Sequence, residues 1–249
     1  MNKFLITGIP RSGTTIFTNT IANVDDVNVY TDSRGYGEPF KYMDETLDLN
    51  PYIRLNKAEH DCKSSYFGFK CFHGELLNLK EITEKRNYKT FAVIRKDIWK
   101  SILSHVVAKT KLFRDKEDTF KKSSTLHTQT EKFSRISDIN PALRRGIADS
   151  MFYRAKECYE FETQWNNIDI IYFEDLIKPN ASFDCVNKYF DQEIVFNLNY
   201  DDSHDAEAYY SNFDPSILEY FSNHFVNTIN LPNDCPNYIR DSIYKYYKE

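Results

Sequence analysis

Short apolar runs alternate with longer amphipathic stretches along this chain, which is the pattern of strands separated by helices. Helical spacing of apolar residues predicts helices at 14–22 and over about 141–165. The predicted strands span about 3–7, 27–31, 66–72, 89–94 and 169–173. Because parallel strands need crossover helices, we expect an α/β fold whose central parallel sheet of four or five strands is flanked by helices.

We expect the whole chain, residues 1–249, to form one domain. Apolar residues make up 41% of it and charged residues 28%, and its 19 phenylalanines and 18 tyrosines can fill a sizeable core. This composition excludes a disordered or collagen-like chain. The stretch at 110–138 is rich in Lys, Ser and Thr without sustained periodicity. We interpret it as a mobile loop or lid. The alternative is a solvated surface loop that has no functional role.

The charge balance excludes a global attraction to nucleic acid or to anionic lipid. Thirty-two basic residues stand against 37 acidic ones, which gives a formal net charge of −5. The apolar start of the chain is too short for a signal peptide, and no later apolar run is as long as a membrane span. The five cysteines are unevenly spaced, which indicates reduced thiols. We therefore expect a cytoplasmic protein with a small-molecule partner and no nucleic acid or membrane partner. Homodimer formation is left open.

The turn between the first predicted strand and the first predicted helix has the spacing of a phosphate-binding loop. Gly8 and Gly13 lie five residues apart, and the hydroxyl residue Thr15 follows two positions later. Glycines let the backbone turn tightly, so that successive N–H groups and the helix dipole face an anion. An ATP or GTP loop has Lys where this chain has Thr14, whereas the cation here is Arg11. We expect a P-loop-like three-layer domain whose ligand lacks a strict need for Mg²⁺.

This loop resembles the 5′-phosphosulfate loop of the sulfotransferases that use PAPS (3′-phosphoadenosine 5′-phosphosulfate). Their loop has the pattern Pro-(Lys/Arg)-(Ser/Thr)-Gly-Thr-Thr, and the residues that match it are Pro10, Arg11, Ser12, Gly13, Thr14 and Thr15. The segment Tyr172–Leu176 is similar to the family's Tyr-Glu-Asp-Leu, with one residue inserted or shifted, and a structural role is implied for it. The motif layout is nearest to the bacterial trehalose-sulfotransferase branch. The resemblance implies transfer of a sulfuryl group from PAPS to a hydroxyl or amine of a small acceptor, such as a sugar, with release of PAP and without a metal.

The exit of the fourth predicted strand resembles the family's 3′-phosphate motif, in which a strand-terminal Arg and a helical Ser hold the phosphate on the ribose. Arg95 matches the Arg. The Ser is Ser104 by the spacing of the trehalose branch or Ser101 by that of the cytosolic branch, and because the two share a helix face the sequence leaves the choice open. The Arg-Lys-Gly triplet of the family's cytosolic members is absent, so the contacts to the adenine and the remaining contacts to the 3′-phosphate are unassigned. Arg144 and Arg145 are candidates for them, although basic pairs on long helices are usually solvated.

Sulfuryl transfer needs a base for the acceptor proton and cations for the leaving phosphate. The trehalose branch implies that the base is Glu38, in its Gly/Pro-flanked segment, and the cytosolic branch implies that it is His73. We rank Glu38 above His73, with Lys70 and Arg11 stabilising the leaving phosphate. Lys70 and His73 would point to opposite faces of a strand, so both serve the site only if His73 lies in the turn beyond it.

Other classes of function remain compatible with the sequence. A P-loop nucleotide or small-molecule kinase with a degenerate loop would share the same sheet, so the fold alone does not decide between the two activities. A non-catalytic nucleotide-binding module and an interaction protein that has inherited the fold are further alternatives. Comparing the affinity of the protein for PAP with its affinity for ATP·Mg²⁺ distinguishes these alternatives from a sulfotransferase.

Overall fold

The computed structural model describes residues 1–30, 51–72, 79–104, 137, 139, 141–197 and 213–248 of the chain. The strands are β1 (Asn2–Gly8), β2 (Val27–Tyr30), β3 (Tyr66–Lys70), β4 (Lys89–Ile94) and β5 (Ile168–Tyr172). The helices are α1 (Thr14–Ala22), α2 (Pro51–Asp61), α3 (Leu79–Lys85), α4 (98–104), α5 (Pro141–Thr163), α6 (Phe173–Leu176), α7 (Asp184–Phe190), α8 (Pro215–Thr228) and α9 (Asn237–Tyr244).

The chain divides into two compact units. The first comprises Met1–Ile94 and Glu160–Leu198, and the second comprises Arg95–Tyr159 and Asn199–Glu249. All five strands belong to the first unit. Among the residues that the structure describes, no helix is both long enough and apolar enough to cross a membrane.

The five strands form one sheet in the order β2-β3-β1-β4-β5, and every neighbouring pair is parallel. This confirms the predicted α/β class, with helices flanking a central parallel sheet of five strands. The chain leaves β1 towards β2 on one side of the sheet and leaves β4 towards β5 on the other. The order of the strands therefore reverses between β1 and β4, and ligands of such sheets bind beside the carboxyl ends of the strands at that point.

The two faces of the sheet are covered by different helices. Phe4 and Phe91 face α1 and α7 in one apolar cluster, whose other buried members include Ile6, Phe17, Ile21, Val93, Val186 and Phe190. Lys3 points to the opposite face because successive side chains of a strand alternate, and its ammonium donates to Glu59 of α2 at 2.8 Å. The strands are short, nearly continuous apolar runs because both of their faces are buried.

Most predicted boundaries lie within two residues of the observed ones, and the helix at 14–22 and the strand at 89–94 agree residue for residue. The third strand ends at Lys70 rather than at residue 72, although the Cys71 N–H still donates to the Ile6 carbonyl at 3.0 Å. The fifth strand ends at Tyr172 because a helical turn begins at the next residue. Apart from residue 137, the predicted loop at 110–138 lies outside the described residues.

Candidate functional site

The predicted phosphate loop joins β1 directly to α1, as the sequence indicates. Gly8, at the end of β1, has a φ of 148°, and a Cβ there would lie 2.0 Å from the carbonyl oxygen of Val93. Only glycine permits this approach, because any side chain would collide with the backbone of β4. Glycine is therefore required at position 8 because the backbones of β1 and β4 approach each other closely there.

The second glycine of the loop is required by an aromatic ring. Gly13 has a φ of 85° and immediately precedes α1, and a Cβ on it would lie 2.6 Å from Cδ2 of Phe173. Phe173 is the first residue of α6 and belongs to the Tyr172–Leu176 segment. That segment thus packs against the loop, which agrees with the structural role that the resemblance implies for it.

Ser12 fixes the shape of the loop through its hydroxyl. The side chain is fully buried, and its Oγ lies 2.6 Å from the Ile9 carbonyl oxygen and 2.5 Å from that of Val93. A hydroxyl has one hydrogen to donate, and both of these groups are acceptors. The Ser12 side chain therefore ties the loop to itself and to β4, and its hydrogen is used within the protein.

The structure brings Lys70 to the first turn of α1. Lys70 ends β3, is 2% exposed, and donates from Nζ to the Thr15 Oγ1 at 3.0 Å. Its ammonium also lies 5.0 Å from the centre of the Phe72 ring, within cation–π range. Thr15 accepts this hydrogen bond, so the contact does not use its own hydroxyl hydrogen. Lys70 and Thr15, which the sequence analysis assigned separately, thus form one contact beside the loop.

Arg11 and Thr14 occupy contrasting positions in the same loop. Arg11 is exposed and has a φ of 70°, whereas Thr14 is buried. A left-handed conformation is uncommon outside glycine, and such backbone is concentrated at ligand-binding turns. The first turn of α1 carries no acidic residue, so the positive end of its dipole is not offset there.

In the second unit, Arg95 directly follows β4 and is 6% exposed. Asp97 caps α4: its Oδ1 accepts from the Lys100 N–H at 3.2 Å, and its Oδ2 pairs with the Lys245 ammonium at 2.7 Å. Asp97 therefore lies at the start of α4. The prediction that Arg95 binds the 3′-phosphate stays a prediction.

A helix near the end of the chain braces the segment that follows Arg95. Ser242 of α9 donates from Oγ to the Lys96 carbonyl at 3.0 Å, and its own carbonyl accepts from the Trp99 indole N–H at 2.8 Å. Sequence patterns gave no sign of these contacts, because they join residues more than 140 positions apart. The backbone that directly follows Arg95 is therefore held by α9.

The two candidate serines are both buried in α4. Ser101 donates from Oγ to the Ile98 carbonyl at 2.8 Å, and its oxygen accepts from Nη1 of Arg154 at 2.9 Å. Sequence analysis did not single out Arg154. The signal was present, since Arg154 continues a helical stripe of buried positions that includes Ile147 and Cys158.

Glu38 and His73, the two candidate bases, lie outside the described residues, so the ranking between them stays a prediction. Within the part of the chain that the structure describes, no three His, Cys, Asp or Glu side chains are grouped so as to hold a metal ion.

A comparison with models of known protein families finds no match for this chain, and a comparison with curated proteins finds none either.

Proposed function

We propose that this protein is a sulfotransferase that moves a sulfuryl group from PAPS to a hydroxyl or amine of a small acceptor and releases PAP. The observation that carries the proposal is the contact of Lys70 with Thr15 beside a P-loop-shaped turn. In an ATP or GTP loop the lysine stands on the loop itself. Here the position holds Thr14, and the ammonium comes from the neighbouring strand.

This arrangement suits a phosphosulfate group. The backbone of residues 11–15 and the start of α1 supply N–H groups to the 5′-phosphate, and Thr15 has a hydroxyl hydrogen to donate. Lys70 adds positive charge to that hydroxyl from a buried position, where an electrostatic interaction is stronger than in water. Arg11 supplies a second cation, whose planar fork matches two anionic oxygens.

The proposed reaction is an in-line transfer. The acceptor oxygen gives its proton to the base, Glu38 in our ranking, and forms a bond to sulfur while the bond from sulfur to the bridging oxygen breaks. The electron pair of that bond goes to the 5′-phosphate of PAP, where negative charge grows as the reaction proceeds. Lys70 and Arg11 are proposed to stabilise this charge.

We also retain the expectation of a cytoplasmic enzyme. A P-loop kinase would share the parallel sheet, so the test has to be made on ligands rather than on the fold. Titration calorimetry with PAP in the presence of EDTA, and separately with ATP·Mg²⁺, compares the two donors directly. We expect PAP to bind in EDTA and ATP·Mg²⁺ to bind much more weakly. Tight ATP·Mg²⁺ binding without PAP binding would overturn the proposal.

Activity is tested with labelled PAPS and a panel of sugar, phenol and amine acceptors. Aromatic side chains stack on sugars and on phenols alike, so composition does not choose among these acceptors. Transfer of label to any of them supports the proposed reaction, and PAP binding without transfer to a broad panel would favour a non-catalytic module.

A further inference from the structure

One side of α5 exposes two neighbouring aromatic residues. Phe152 is 45% exposed and Tyr153 is 59% exposed, and the centres of their rings lie 5.5 Å apart. Both residues lie in the middle of the helix, within the second unit. Adjacent exposed aromatic side chains are typical of surfaces that bind another protein, in which tyrosine, phenylalanine and arginine are enriched.

The exposed side of α5 continues towards the start of the helix. Arg145, Gly146 and Asp149 are all exposed. They lie on the same side as Phe152 and Tyr153, because residues three, four and seven positions apart share one side of a helix. We call these five residues the α5 face.

Gly146 leaves a gap in the α5 face. A Cβ on this residue would have no heavy atom of another element within 4 Å, so no packing in the described part of the chain requires glycine there. Glycine is also among the least favourable residues inside a helix. The missing side chain does allow a side chain of another molecule to approach the helix closely, since the distance between packed helices depends on the residues at the contact.

Arg145 and Asp149 carry opposite charges on the α5 face. They stand four positions apart, yet neither forms an ion pair or a hydrogen bond through its side chain with any residue that the structure describes. Together they contribute no net charge to the face. A bound surface that presents the same two charges in the reverse order would pair with both of them.

The α5 face is complementary to itself in the antiparallel orientation. Gly146 and Tyr153 are seven positions apart, as are Arg145 and Phe152, and Asp149 lies at the middle of both pairs. Rotation about a two-fold axis beside Asp149 therefore places Gly146 opposite Tyr153 of a second copy and Arg145 opposite Phe152. An arginine over an aromatic ring is a favourable cation–π pair. The same rotation brings each Asp149 towards Arg145 of the other copy.

We propose that the α5 face binds the α5 face of a second copy of this chain, antiparallel and about a two-fold axis at Asp149. The gap at Gly146 receives the ring of Tyr153, and Arg145 stacks on Phe152. The proposal gives Arg145 this contact in place of the nucleotide contact for which the sequence offered it. The face covers only about 12 Å of helix, and small interfaces are transient, so we expect a dissociation constant of about 10 to 100 µM.

Sedimentation velocity over about 5 to 200 µM protein measures this equilibrium for the wild-type protein and its variants. Gly146→Leu fills the gap and should weaken the dimer at least about tenfold. Its melting temperature at the lowest concentration should rise, because leucine is a better helix former and its Cβ meets no other element. Loss of the dimer together with a gain in thermal stability separates a blocked interface from a damaged fold.

Phe152→Ser removes the ring that Arg145 covers and should also weaken the dimer about tenfold. Tyr220→Ser is the matched control, because Tyr220 is a 50% exposed aromatic residue on a different helix, α8. The control should dimerise like the wild-type protein.

Reversing the charges tests whether the partner is a second copy. Arg145→Asp and Asp149→Arg should each weaken the dimer at least about tenfold, and the double variant should return to within about threefold of the wild-type value. This comparison decides the question if Gly146→Leu does not fold. A wild-type protein that stays monomeric at the highest concentration, or a dimer that neither Gly146→Leu nor the charge reversals weaken, would overturn the inference. No nucleotide is present, so these results leave the proposed function untouched.

Discussion

The two ends of the parallel sheet in the first unit use their cationic side chains in different ways. At the amino end, Lys3 and Arg86 both donate to the carboxylate of Glu59, at 2.8 and 3.0 Å. At the carboxyl end, Lys70 donates to the neutral hydroxyl of Thr15. The contacts at the amino end hold elements of the fold together, whereas Lys70 brings positive charge to the turn that forms the phosphate loop.

The hydroxyl of Tyr88 completes the cluster at the amino end by donating to Glu59. Burial, followed by the Glu59 carboxylate, raises the pKa of Tyr88 above its usual range, so this hydroxyl remains protonated and keeps donating. Positive φ occurs at both ends: Asp26, Asn87 and Asn167 precede strands at the amino end, and Gly8, Arg11 and Gly13 lie at the carboxyl end. The contrast in the partners of the cations supports our proposal that the ligand binds at the carboxyl end, where parallel sheets bind ligands, while the Glu59 cluster stabilises the fold.

The largest effect is expected from removing the base that we propose, Glu38, which follows β2 in the sequence. Glu38→Gln should lower turnover about 10²- to 10⁴-fold and leave PAP affinity nearly unchanged, because the base acts on the acceptor and not on the donor. Rates with labelled PAPS and calorimetry with PAP check both parts. If Glu38→Gln stays active while His73→Ala is inactive, the base is His73.

The next effect concerns the cation at the carboxyl end. Lys70→Met should lower turnover about 10²- to 10³-fold, since it removes charge that stabilises the leaving phosphate. Its free energy of unfolding should change by less than about 1 kcal/mol, because an apolar side chain of similar length replaces a buried charge.

Lys89→Met is the matched control for this change. Lys89 begins β4 at the amino end of the sheet, where it pairs with Asp169 at 2.9 Å. Turnover of Lys89→Met should equal that of the wild-type protein. Equal losses of turnover in the two variants would contradict the proposal that only the cation at the carboxyl end of the sheet contributes to the reaction.

At the amino end the expected effect is on stability. Glu59→Gln should lower the free energy of unfolding by about 2 kcal/mol, because charge-assisted hydrogen bonds are lost, and turnover of the folded protein should not change. Urea unfolding and initial rates measure the two quantities. A loss of turnover without a loss of stability would contradict the assignment of this cluster to the fold.

Glu59 also predicts a dependence of stability on pH. Burial raises the pKa of its carboxyl, but hydrogen bonds from Lys3, Tyr88 and Arg86 outweigh burial and hold the pKa below its ordinary value. A lowered pKa means that the stabilisation is present above the pKa of the unfolded state and is lost as pH falls through the folded-state pKa. The wild-type protein should therefore lose stability below about pH 4.5 more steeply than Glu59→Gln.

Sequence patterns were sufficient for the fold because the strands are buried on both faces and appear as apolar runs. They also identified the loop, since the positions of Gly8 and Gly13 are set by backbone conformation, which glycine reports directly. The extra residue of Tyr172–Leu176 has a structural explanation as well, because Phe173 packs on Gly13.

What the sequence could not supply are contacts that depend on register. The parallel pairing of Ile6 with Lys70 is what brings the end of β3 to the start of α1, and no local pattern encodes that pairing. The same holds for the link between Arg154 and Ser101, which are 53 residues apart. In both cases the residue type was visible in the sequence and its partner was not.

The smallest effect is expected from removing the hydroxyl of Thr15, which accepts from Lys70 at the carboxyl end of the sheet. Thr15→Val keeps the shape of the side chain but removes the acceptor for Lys70 and the hydrogen that we propose for the 5′-phosphate. One hydrogen bond contributes about 1 kcal/mol net, so PAP affinity should fall about fivefold. Thr20→Val is the control, because Thr20 lies on the same helix and donates only to the Ile16 carbonyl within it. Calorimetry with PAP should show the loss in Thr15→Val alone, and equal affinities in the two variants would mean that the hydroxyl of Thr15 does not contact the ligand.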